Sequence, residues 1–164
     1  MAKNKYNIKM FLMILFPLIV SIVIDRLIAT ATIYNKPNIG NVADFIIKIW
    51  KYACIVYWYW VGKKYGGFYR GRTKSFILGN VLWGIGFVFY IIIFFLTDSN
   101  SRINFIKVIP WFNQLAQGYS LGFVRWSSLI ISLFTKNIES RIAVIVSYVL
   151  MLIVFSIGFY NGKK

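Results

Sequence analysis

The stretch FILGNVLWGIGFVFYIIIFFL, residues 76–96, decides the fold, because it contains no Asp, Glu, Lys or Arg. A bilayer's hydrocarbon slab is about 30 Å thick and takes about 20 mostly apolar helical residues to cross. A second stretch, IAVIVSYVLMLIVFSIGFY at 142–160, meets the same requirement. Two further apolar runs, Met10–Ile24 and Ala53–Gly62, complete a set separated by short basic or turn-like segments. The pattern predicts an all-α integral membrane protein with a single membrane domain over residues 1–164. Its spans are expected at about 10–32, 42–62, 75–97 and 142–160.

Composition agrees. Of 164 residues, 59% are hydrophobic, 20% aromatic and only 14% charged, with a mean hydropathy of +0.68. A soluble domain carries roughly a quarter charged residues. Nineteen Lys and Arg oppose four Asp and Glu, for a net charge of +15. These cations cluster at the ends of apolar runs, where they snorkel to headgroups and fix orientation. A bilayer with anionic headgroups is therefore the expected partner, and nucleic acid is not.

Several chemistries are excluded at once. Histidine is absent, which removes the commonest metal ligand and every triad built on imidazole. The lone Cys54 forms no internal disulfide and no CxxC pair. An intramembrane aspartyl hydrolase, which needs two carboxylates within reach, stays as a remote alternative, with Asp25 and Asp98 the residues that could play that part. Gly66-Gly67-x-x-x-Gly71 lacks the Gly-Lys-Ser/Thr ending of a phosphate loop. No catalytic residue, cofactor or metal site is expected.

The N-terminal MAKNKYNIK has the charge layout of a signal peptide. The apolar run continues past it to Ile24 and meets Asp25-Arg26 with no convincing A-x-A site, so an uncleaved first helix is expected, with Pro17 kinking it. Residues 34–40 read as a turn. Basic loops stay cytoplasmic, which places the N-terminus and the 63–74 connection inside. Lys63, Lys64, Arg70, Arg72 and Lys74 there are the expected contacts to lipid headgroups. The Trp and Tyr residues over 50–60 read as an interfacial belt.

Residues 111–134 are the ambiguous stretch. Gln114, Gln117, Arg125 and Ser128 lie along one stripe, opposite Leu115, Tyr119, Trp126 and Leu133. The stripe predicts an amphipathic interfacial or re-entrant helix with an exposed polar face; the alternative is a fifth span in a five-helix membrane bundle.

Two internal constellations invite a role. A turn centred at 37–38 places Asp25 level with Lys51, and Arg26 near Lys48, given a rise of about 1.5 Å per residue. The pair is either a structural ion pair or part of a relay. In the third span, Ser75, Gly79, Asn80, Gly84 and Gly86 follow small-residue spacing and predict close helix packing or a homo-oligomer seam.

No motif names an activity. The expectation is a small non-catalytic multi-pass protein of the cell membrane, an accessory, regulatory or immunity-type component of a bacterial membrane system with a membrane-protein partner. The alternative is a small oligomeric transporter or channel with a polar path around Asp25.

Overall fold

The structure, a computed structural model, describes residues 2–67, 71–96, 115, 117–135 and 140–162. Among them are five helices and no strand: α1 (Ala2–Ile33), α2 (Pro37–Gly66), α3 (Arg72–Leu96), α4 (Leu121–Ser132) and α5 (Ser140–Asn161). Among the described residues, three segments are long and apolar enough to cross a membrane, Ile8–Ile33, Arg72–Phe95 and Ser140–Asn161. The expected second span is also helical, at 30 residues. It falls outside that set because Lys48, Lys51 and a crowd of Trp and Tyr dilute its apolar content.

The turn between α1 and α2 is tighter than the sequence suggests. Pro37 opens α2 at its first turn, where a missing N–H costs nothing and the fixed φ is already helical. The turn shrinks to Tyr34–Lys36, and Asn35 takes the left-handed conformation (φ 48°) that often closes a helix. Lys36 N–H donates to the Ala31 carbonyl at 3.0 Å. Pro17 sits inside α1 without ending it.

α2 is the hub, touching each of the other four helices. It runs antiparallel to α1, with the Tyr57 and Tyr65 hydroxyls donating to the carbonyls of Met13 (2.7 Å) and Met10 (3.2 Å). It runs parallel to α5. A Cβ built on Gly62 or Gly66 would overlap the carbonyl oxygens of Phe155 or Phe159. One built on Gly158 or Gly162 would overlap those of Tyr59 or Lys63. Two glycine pairs spaced by four thus face each other across one seam, and the backbones meet directly.

Rings fill the rest of the interior. Trp58 is fully buried, with Phe155 and Tyr119 centroids 6.3 and 6.4 Å away. Phe76 meets Phe155 at 5.7 Å and Phe159 at 5.2 Å, edge-on, the preferred aromatic geometry. Trp50 and Trp58, expected near an interface, are core residues instead, together with Tyr65. Their stripe faces the helix neighbours and not the surroundings.

All described helices are laid lengthwise, giving the bundle two ends. The basic end carries exposed Lys9, Lys63, Lys64, Arg72 and Lys74. The turn end carries the α1–α2 turn, the end of α3 and the start of α5. Between these last two, the chain dips inward. Gly86, midway along α3, would place a Cβ 2.7 Å from the Leu115 carbonyl oxygen, and Gly118 would place one 2.7 Å from Leu18 of α1. From that mid-depth, α4 rises antiparallel to α2, with its 12 residues spanning about 18 Å. A helix lying flat across the end of the bundle is not what forms: Gly122 and Ser127 on one face of α4 dock it against α2 and α5.

Candidate functional site

α4 and the middle of α2 hold the polar and charged groups that sequence reasoning singled out beyond the basic end. Gly122 lies against Cys54, a Cβ there standing 2.5 Å from both Cβ and Sγ of that residue. One turn on, Trp126 Nε1 donates to the Lys51 carbonyl at 2.9 Å. Ser127, fully buried, directs its hydroxyl to the carbonyls of Ala143 (2.6 Å) and Val124 (2.8 Å). These contacts pin α4 into the angle between α2 and α5.

The expected polar stripe is partly as drawn. Arg125 and Ser132 are exposed, and Gln117 and Ser128 are half-buried; Gln114 lies outside the described residues. The opposite side differs more, because Leu133 projects outward while Gly122, Phe123 and Ser127 form the docked face. Small residues define this face, so a search for bulky apolar spacing passes over it.

An open groove of about 520 Å³ separates the middle of α2 from α4, lined by Lys51, Tyr52, Arg125, Trp126, Leu129 and two serines. The Lys51 ammonium stands 4.5 Å from the Tyr52 ring centroid, a cation–π distance. Among the described residues, no carboxylate pairs with Lys51 or Arg125.

The other candidates are distributed differently. Asp25 and Arg26 are exposed on α1, and Lys48 is exposed on α2. The tight turn shifts the hairpin register: Gly40 packs on Ala31 and Phe16 on Trp50. Asp25 is then level with Phe45 and Ile46, about one and a half helical turns from Lys51. The level match from which an Asp25–Lys51 pair was derived is removed, and Lys51 is engaged at the groove.

In α3 the small residues act separately. Ser75 donates to the Tyr65 carbonyl, and Gly79 makes room for the rings of Phe155 and Tyr65. Gly86 admits the Leu115 backbone, whereas Gly84 has nothing within 4 Å of a built Cβ. Asn80 bonds within its own helix, to the Phe76 carbonyl (2.7 Å) and the Trp83 indole (2.8 Å). The α3 glycines do not form one continuous seam within the chain. The close helix contact lies at Gly62, Gly66, Gly158 and Gly162, which the sequence reading missed.

At the basic end, Lys64 lies over the Trp60 ring (5.7 Å) and Arg72 over the Tyr160 ring (5.3 Å). Lys63 and Lys74 are exposed beside them, and Arg70 lies outside the described residues, as does Asp98. Among the described residues no group of three His, Cys, Asp or Glu converges. Among the described residues, the buried Trp58 Nε1 and Tyr119 hydroxyl have no hydrogen-bond partner. Compared with known protein families, curated proteins and solved structures, the chain matches none.

Proposed function

We propose that the chain is a four-span protein of the cell membrane, with α1, α2, α3 and α5 as spans and α4 as a re-entrant half-helix. The observation that carries this reading is the bundle's outer surface. Large apolar side chains face outward on every span, among them Phe16, Val56, Val88 and Ile153. A soluble protein rarely exposes apolar patches beyond a few hundred Å². Even α2 contributes: Val42, Phe45, Ile49, Tyr52, Val56 and Trp60 are all exposed, at the three- and four-residue steps of one helix face. Its lysines interrupt that face without abolishing it. Charge supports the orientation, with the N-terminus and the basic end in the cytoplasm.

Within the membrane we assign a non-catalytic role, as an accessory, regulatory or immunity-type component. The polar interior supports it. Ser75, Ser120, Ser127 and Ser147 are buried, and each gives its hydroxyl to a backbone carbonyl. Such bonds satisfy and position helices, and they commit these four hydroxyls to backbone carbonyls.

Alkaline carbonate washing of membranes tests the first element, since an integral protein stays in the pellet. Release into the supernatant would overturn it. In a Cys54→Ala background, an impermeant thiol reagent applied outside should label Asn38→Cys and spare Lys64→Cys. The reverse pattern would invert the topology. Mild-detergent purification should recover a stoichiometric membrane partner. Recovery of the chain alone, with ion or solute flux in proteoliposomes, would replace the accessory role with transport.

A further inference from the structure

The groove between α2 and α4 has the chemistry of a phosphate site with an apolar side wall. Its base is fixed: the Trp126 indole is held by the Lys51 carbonyl, and Tyr52 meets Trp126 edge-on at 5.5 Å. Its charge is one-sided. Lys51 and Arg125 both line it, and among the described residues neither has a carboxylate partner. The two serine hydroxyls are committed as donors, Ser128 to Val124 (2.9 Å) and Ser132 to Leu129 (2.7 Å). They keep only acceptor capacity, so recognition of an anion falls to the two cations. A guanidinium forks two phosphate oxygens, and an ammonium adds a compact point charge.

Depth narrows the ligand. Ser127 is bonded to Ala143, in the first turn of α5. With α5 as a span, the groove opens from the middle of α2, at Lys51 and Tyr52, toward the level where headgroups meet acyl chains and Trp and Tyr gather. Leu129, 59% exposed, extends the wall in apolar form.

We infer that this groove binds the phosphate headgroup of an anionic membrane phospholipid, whose acyl chain lies along Leu129. Two cations with no carboxylate partner among the described residues match a lipid carrying two phosphates, such as cardiolipin, better than a single phosphodiester, and a zwitterionic headgroup worst. The inference rests on the membrane reading above.

The test uses the purified full chain in detergent micelles, titrated separately with cardiolipin, phosphatidylglycerol, phosphatidylcholine and inorganic phosphate, and read by native mass spectrometry. Affinity should fall in the order given for the three lipids, with inorganic phosphate weakest. A basic side chain near an anionic lipid contributes enough to change affinity about fivefold. Lys51→Gln and Arg125→Gln should each weaken cardiolipin binding by about that factor, and Lys36→Gln by less than twofold. Leu129→Trp keeps both charges but fills the groove, and should weaken binding at least as much. An equal loss at Lys36, or full binding by Leu129→Trp, would overturn the site in favour of diffuse charge. Inorganic phosphate binding as tightly as cardiolipin would overturn the lipid. A chain that stays monodisperse without detergent would instead remove the membrane reading beneath it.

Discussion

α2 makes two close contacts of opposite character. Against α5, at the basic end, Gly62 and Gly66 face Gly158 and Gly162 backbone to backbone, and any Cβ would overlap a carbonyl. Against α4, midway along α2, closeness at Gly122 gives way within a turn to an open, doubly cationic groove. The first contact is made of atoms that cannot yield. The second rests on a cysteine side chain and an indole bond, each with some latitude. Rigid packing and adaptable polar contact thus divide one helix between them.

The comparison breaks most visibly at the seam. Gly158→Leu drives a branched side chain into the α2 backbone, beyond the overpacking cost of about 1–3 kcal/mol, and should leave little folded protein in detergent. Thermal melting of purified protein checks this; a variant melting like the parent would dissolve the distinction. Gly122→Ala should cost about 1–3 kcal/mol, because, of the two Cys54 atoms its Cβ meets, the sulfur can swing aside while Cβ moves only with α2. Expression should persist with a lowered melting temperature. Ser127→Ala removes the bond to Ala143, and should cost about 0.5–1.5 kcal/mol. Gly84→Ala should have the smallest effect and the opposite sign. Nothing lies within 4 Å of its Cβ, and alanine is the better helix former by about 1 kcal/mol. Destabilisation there would point to a helix partner on the open side of α3, and so to an oligomer.

The apolar helices were legible because hydropathy acts residue by residue. Residues 76–96 and 142–160 lie wholly inside α3 and α5. What escaped were features set by two elements together. Gly62 and Gly66 flank Lys63-Lys64, a pair that reads as a helix terminus, so their match to Gly158 and Gly162 carried no local signal. Equal glycine spacing on two helices at the same end was the available clue. Register failed through one residue, as Pro37 reads equally as a turn residue or as the first residue of a helix. Taking it into α2 moved Asp25 about one and a half turns away from Lys51. The aromatic crowd misled for a similar reason: Trp58 is indistinguishable by type from a belt residue, and only its neighbours bury it.

Cys54 turns the half-helix into a measurable quantity. It is the chain's single cysteine, is free, and lies beneath Gly122 with no exposed surface. A small alkylating reagent reaches its sulfur only in moments when α4 has lifted from α2. When opening and closing are fast relative to alkylation, the rate of modification divided by that of an exposed thiol equals the fraction of time spent open. The unmodified protein thus reports its own opening, in intact membranes, from a single sulfur atom. Whatever settles beside α4 and holds it down, lipid or protein, should register as a slower clock.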